Sequence, residues 1–299
     1  MRIDLLFVVT LMLLSVACSG DAGSSKDESP GAGFPTLIIG GIPDQNVATL
    51  EEMFGGIAAF LQKELAINVE YRPMTSYAAL VTAFKDGDVQ LAWFGGLTGV
   101  QARSMTPGVM AVLQRPADAE FRSVFIVGPG IDAASLADLK GMSFTFGSES
   151  STSGHLMPRW YLLQAGVDPE TDFRGVPSYS GSHDKTWAMV EARSFDAGAL
   201  NIAVWERAVS QGQVDTSKVR VLETVGPYYD YHWLTHPLID ERYGTGITDR
   251  IVTAIKGLSV EDPAEKQLLD LFSADRFIDT RNENYAQIEE TARGLGLIE

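Results

Sequence analysis

The chain has 299 residues, 45% of them apolar, which is material for two ordinary domains and excludes global disorder. Its formal net charge is −16, a poor match for nucleic acid, whose binding rests on phosphate neutralisation. Any anion site here must be built locally, against the overall field.

The first segment, MRIDLLFVVTLMLLSVACSG, carries Arg2, an apolar core from Leu5 to Leu14 and then small residues. That is the pattern of a secretory signal peptide, placed at 1–17. The core is too short for a spanning helix of about 20 residues. Its end, LSVAC, has the form of a bacterial lipobox, with Ser15 where leucine is commoner. Cys18 is the only cysteine in the sequence, with no partner for a disulfide, so lipid attachment at Cys18 is expected. A plain signal peptide that contains a cysteine is the alternative. Residues 18–35 are rich in Gly, Ser and acid without apolar period, and read as a flexible tether. The arrangement predicts a soluble protein held by its lipid at the extracytoplasmic, periplasmic face of a membrane.

From Thr36, TLIIGGI reads as a strand. Residues 47–65 read as a helix, with Leu50, Met53, Phe54, Ile57, Ala58 and Leu61 at helical spacing. INVEYRP is a second strand, SYAALVTAFKDG a helix capped by Ser76 and ended by Gly87, and VQLAWFGG a strand. GVMAVL and RSVFIVG continue the alternation, which predicts an α/β fold with a largely parallel sheet. A second series starts near Gly128: helix SLADLKG, strand MSFTFG, helix SGHLMPRWYLLQAG, an extended FRGVPSYS, helix SHDKTWAMVEARS, strand FDAGAL, helix NIAVWERAVSQG and strand KVRVLETVG. PYYDYHWLTHP breaks the rhythm, and the tail from Thr245 is helical. Two lobes follow: 36–127 with 230–299 as lobe 1 and 128–229 as lobe 2, with crossings near Val127–Gly130 and Thr224–Tyr231. The glycine-rich strand ends IGGIPDQ, WFGG and FGSESSTSG would face one cleft between them.

FGSESSTSGHLMP, residues 146–158, holds the sharpest chemical signal. Strand, hydroxyl-rich turn and helix start form an anion-binding arrangement, because the first helix amides lack partners and carry the positive end of the dipole. Ser151, Thr152 and Ser153 would add hydroxyl donors, and Gly154 would let the backbone approach closely. Simple capping by Ser151 or Thr152 is the alternative, although capping needs one such residue. SGSHDKT repeats the pattern at Ser182, with His183 as a possible donor or a mere first-turn residue. Tyr77, Trp93 and Phe94 sit at element ends in lobe 1, either as core or as the floor of the cleft. No Gly-x-Ser-x-Gly elbow, HExxH or GxxxxGK[ST] occurs, so neither an enzyme nor a metal or nucleotide cofactor is expected.

Together, SYAALVTAFKDGDVQLAWFGG, GSESSTSGHLMP, SGSHD and FDAGALN resemble the phosphate/phosphonate/phosphite-binding proteins of ABC importers, over roughly residues 36–290. WFGGLTGVQAR, FGSESSTSG, YSGSHD and GPYYDYHW are similar to a branch of that family named for selenate. The resemblance implies a two-lobe periplasmic-binding fold of the type II kind, closing on a small tetrahedral oxyanion. It implies delivery to a membrane permease driven by a separate ATPase, with the binding protein a monomer. It places Ser151, Thr152 and Ser153 on the anion's oxygens, Tyr77 and Phe94 in lobe 1, His183 in lobe 2, and matches Asp230 to a hinge-side acid. Phe94 stands where phosphonate binders commonly have tyrosine. Ala203 stands where they carry a glutamate for an aminoalkyl group. A carboxylate facing the ligand would favour a protonated phosphorus oxyanion over selenate or sulfate, which offer acceptors only. The side chains of Asp230 and Glu149 would thus decide the ligand class. A lobe pair that reports occupancy to a membrane receptor is the alternative function.

Overall fold

The computed structural model describes residues 35–299; the expected signal segment, Cys18 and the tether lie outside the described residues. Lobe 1 begins with β1 (Leu37–Gly41), α1 (Val47–Leu65), β2 (Val69–Tyr71), α2 (Tyr77–Lys85), β3 (Leu91–Phe94), α3 (Gly96–Met105) and β4 (Met110–Gln114). Asn46 caps α1 by accepting from the Thr49 amide, and Ser76 caps α2 by accepting from the Ala79 amide. The predicted apolar face of α1 is buried throughout, down to Leu65.

β5 (Phe121–Val127), β6 (Phe144–Phe146), α4 (Met157–Gln164), β7 (Ser178–Tyr179), α5 (His183–Glu191), β8 (Ala197–Asn201), α6 (Ile202–Ser210) and β9 (Arg220–Tyr228) form lobe 2. The chain then returns through β10 (His232–Thr235), α7 (Leu238–Tyr243), α8 (Ile247–Lys256), α9 (Pro263–Leu271), β11 (Ile278–Asp279) and α10 (Ala286–Gly294). In this tail α8 and α9 pack on α1, and α10 on α3.

The lobe 1 sheet has the order β11-β4-β10-β3-β1-β2 and the lobe 2 sheet the order β7-β6-β8-β5-β9. Both are mixed rather than largely parallel. β1 is parallel to β2 and β3, but β10 runs antiparallel to β3 and β4. β6 is parallel to β7 and β8, but β5 runs antiparallel to β8 and β9. β5 and β10 follow the two crossings between lobes, and β11 at the sheet edge is also antiparallel to β4.

The first crossing departs from the expected boundary. Phe121–Val127 pair along β8 and β9, so they belong to lobe 2, and the chain crosses at 115–120 instead of 127–130. Apolar periodicity identifies a buried strand but not the sheet that receives it. The crossing is a 3₁₀ turn, Pro116–Glu120, tied by a buried ion pair: Arg115 donates to both oxygens of Asp118, at 2.7 and 2.5 Å, and to the Phe272 carbonyl at 2.7 Å. The second crossing lies beside it, with the Asp230 amide donating to the Asp118 carbonyl at 3.0 Å. β10 lies in a stretch whose prolines and aromatics masked a four-residue central strand, all of it buried.

Leu156 and Met157 of lobe 2 are buried in the apolar core of lobe 1. Apolar packing therefore crosses the cleft, and the lobes are closed on each other.

Candidate functional site

The hydroxyl-rich stretch forms a single π turn, Thr152–Leu156, that leads into α4. Its hydroxyls have separate tasks. Ser151 is the cap, its Oγ accepting from the Gly154 amide at 3.0 Å. Thr152 reaches across the cleft, its Oγ1 accepting from the Leu97 amide at the start of α3, 2.9 Å away. Ser153 Oγ is buried without a hydrogen-bond partner among the described residues. Gly154 serves close packing: a Cβ there would meet Gly147 Cα and His183 Cε1, both at 3.1 Å. It thus lets lobe 2 elements meet each other.

Asp230, on the second crossing, lies beside Thr152 and Ser153. Its Oδ1 accepts from the Gly96 amide at 2.9 Å, while Oδ2 is buried and without a partner among the described residues. Burial pushes its carboxyl up to about 7, against the pull of that amide and the nearness of the Thr152 and Ser153 hydroxyls, neither of which stands in hydrogen-bonding geometry to it. Tyr77 lies beside Ser151; its hydroxyl too is buried without a partner among the described residues, and burial holds the phenol well above its usual range. The structure thus brings Tyr77, Ser151, Thr152, Ser153 and Asp230 together from both lobes and the hinge.

His183 closes another side. Its ring is fully buried against Gly154, and its own amide donates across the cleft to the Asp44 carbonyl at 2.9 Å. Nδ1 accepts from the Asn201 amide at 3.4 Å, which leaves the proton on Nε2. Burial lowers the imidazole to about 3, so His183 is a neutral donor at physiological pH.

The aromatics of β3 are placed differently. Phe94 packs edge-on against Phe84 in the lobe 1 core and offers no polar atom. Trp93 stacks on Tyr231 at 5.7 Å and contributes its ring to packing. Glu149 is exposed, its carboxylate in solvent, while its carbonyl is held by His155 Nδ1 at 2.6 Å.

Three residues escaped the sequence reading: Asp44, Asn201 and Tyr231. Tyr231 donates to Asp44 Oδ2 at 2.8 Å and accepts from Asn201 Nδ2 at 2.9 Å. Burial pushes Asp44 up to about 6. Each ends or follows a strand in a stretch that faces the cleft, IGGIPDQ, FDAGALN and YYDYHW. Position alone marked these stretches; no residue-level motif marked the three.

The arrangement has no nucleophile activated by a base, and its donors are uncharged. Two α/β lobes closed over such a cradle define a solute-binding protein. The sequence matches the model of the ABC transporter phosphonate periplasmic substrate-binding protein family over residues 39–285. The chain belongs to that family; it is a substrate-binding component and not an enzyme. A probable ABC transporter phosphite binding protein, PhnD1 of Prochlorococcus marinus (strain MIT 9301), is 42% identical over 88% of this chain and 90% of its own length. The structure of PhnD1 in complex with methylphosphonate superposes with a TM-score of 0.86, covering 88% of this chain and 99% of PhnD1. The phosphate-import protein PhnD of Mycolicibacterium smegmatis is 28% identical over 70% of this chain and 68% of its own length.

Proposed function

We propose that this protein binds a small, singly protonated phosphorus oxyanion, of the phosphite or methylphosphonate class, and delivers it to a membrane permease driven by a separate ATPase. The observation that carries this reading is the convergence of Tyr77 OH, Ser153 Oγ and Asp230 Oδ2, three buried polar atoms without a hydrogen-bond partner among the described residues. Buried polar groups are normally satisfied, so such a set is accounted for by a ligand with several oxygens. Tyr77, Ser153, the Thr152 turn and His183 supply donors, and Asp230 supplies an acceptor for the ligand's own O–H. Selenate and sulfate bring no proton, so an ionised Asp230 facing either would leave two anions unpaired, and either could be held only with Asp230 protonated. We place the protein at the periplasmic face of a membrane, anchored through Cys18.

A thermal-shift panel of phosphite, methylphosphonate, phosphate, selenate, selenite and sulfate tests this reading. A true ligand at 100 times its Kd stabilises the protein by about 2.7 kcal/mol. Phosphite or methylphosphonate should give that shift, and Ser153→Ala should need a much higher concentration to reach it. A shift with selenate or sulfate alone would sink the proposal.

A further inference from the structure

Ser153 offers the cradle a free hydroxyl, but its own backbone carbonyl falls out of the helical ladder. In the π turn the Leu156 amide donates to the Ser151 carbonyl at 3.0 Å, and the Met157 amide donates to the Thr152 carbonyl. The next donor in that series would be the amide of residue 158, which is Pro158 and carries no N–H. A buried carbonyl left without a donor is costly.

A side chain supplies the missing donor. Ser123 Oγ, on β5, donates to the Ser153 carbonyl at 2.7 Å. Its single proton is used there, so the 2.6 Å contact with Tyr228 OH has one direction: Tyr228 donates and Ser123 accepts. Burial holds the Tyr228 phenol well above its usual range, which keeps that proton in place. Both side chains are buried, and the Tyr228 ring packs against Phe121 with ring centres 6.2 Å apart. Tyr228 ends β9 two residues ahead of Asp230, and it pairs with Phe121, which follows the first crossing. The relay therefore ties the turn that carries Ser153 to the strand end that leads into Asp230. Ser153 Oγ and Asp230 Oδ2 are two of the cradle's open polar atoms.

We propose that Ser123 and Tyr228 are positioning residues for ligand binding: they hold the carbonyl that Pro158 leaves free, and so set Ser153 Oγ in place beside Asp230 before the ligand arrives. The inference rests on reading the cradle as a phosphorus-oxyanion site and adds what keeps it preformed in lobe 2.

The test is a double-mutant cycle on the full chain, by calorimetry with phosphite and methylphosphonate, for wild type, Ser123→Ala, Ser153→Ala and the double variant. Ser123→Ala should weaken both ligands at least about threefold. With Ser153→Ala already present there is no hydroxyl left to position, and the same substitution should change affinity less than about twofold. A merely structural loss would carry over undiminished. Tyr228→Phe keeps the ring, removes only the donor, and takes the place of Ser123→Ala in the cycle if that variant does not fold. Amide hydrogen exchange of the ligand-free protein gives a second readout. Ser123→Ala should speed exchange at the Gly154, Leu156 and Met157 amides, which close the turn, more than at β1 and β3 of lobe 1. If Ser153→Ala binds too weakly for calorimetry, the exchange decides. An equal cost with and without the Ser153 hydroxyl, or no selective gain in exchange at the turn, overturns the positioning role and leaves the cradle reading standing. Failure of wild type to bind either ligand overturns the cradle reading and the positioning role with it.

Discussion

Asp230 links the chemistry of the ligand to the stability of the free protein. Its carboxyl is raised from 3.8 to about 7 by burial, and Asp44 is raised to about 6 by the same cause. For such a group the folded state binds the proton more tightly than the unfolded chain. Its stabilising contribution is complete below about pH 4 and is lost as pH rises to 7. Buried His155, His183 and His232 are lowered to between about 3 and 4 and work in the opposite direction, so the whole-protein pH profile mixes both. The difference between wild type and Asp230→Asn isolates the carboxyl. Without ligand, Asp230→Asn should melt higher than wild type at pH 8, by a few kcal/mol of stability. That margin should shrink steadily as pH falls from 7 to 4. Equal melting temperatures at pH 8 would mean that Asp230 is not held at the expense of stability. The same substitution removes the acceptor for a protonated ligand, so it should weaken methylphosphonate while narrowing the gap to selenate.

The π turn that carries the hydroxyls is held from behind by one chain of polar contacts. Arg159 Nε donates to His155 Nε2 at 2.9 Å, which fixes the proton on Nδ1, where it bonds the Glu149 carbonyl. Arg159 in turn pairs with Glu170 at 2.7 Å, and the His155 ring packs edge-on against Phe146 and Tyr179. Removing the imidazole frees the 148–151 loop and leaves the Arg159 Nε–H without its imidazole acceptor. His155→Ala should lower stability by about 1–3 kcal/mol and weaken ligand binding, whereas Glu149→Gln should leave affinity within a few-fold. Calorimetry of the two variants checks both, and a large loss in Glu149→Gln would mean that its carboxylate reaches the ligand. The sequence made much of this element legible: strand, Ser-Thr-Ser-Gly turn and helix were all in place. The division of labour among the hydroxyls was hidden, because a run of identical groups does not say which one the opposite lobe claims. Likewise the α1 face was readable from its period, while β10 and the 115–120 crossing depended on which sheet would receive a strand. Asp44, Asn201 and Tyr231 are set by contacts between residues 30 or more positions apart, beyond any local pattern.

Closure of the two lobes is supported by contacts that involve no ligand. Leu97 meets Thr152, His183 meets the Asp44 carbonyl, and Leu156 with Met157 packs into the lobe 1 core. Farther out, Arg207 on α6 of lobe 2 donates to the Leu271 carbonyl at the end of α9 at 3.1 Å, and to Ser273 and Gln45. A cation at a helix C-terminus is also favoured by the dipole. Each such contact raises the fraction of free protein that is shut. Apparent affinity equals the intrinsic affinity scaled by that fraction, so a latch changes binding strength without touching the ligand. Arg207→Ala should therefore weaken phosphite and methylphosphonate by one common factor, about two- to tenfold for the loss of hydrogen bonds worth about 0.5–1.5 kcal/mol. The ligand-free protein should show a larger radius of gyration in small-angle scattering, and saturating ligand should restore the wild-type value. A change in the ratio of the two affinities would instead place Arg207 against the ligand. Unchanged affinity with unchanged scattering would mean that the core packing of Leu156 and Met157 alone holds the lobes shut.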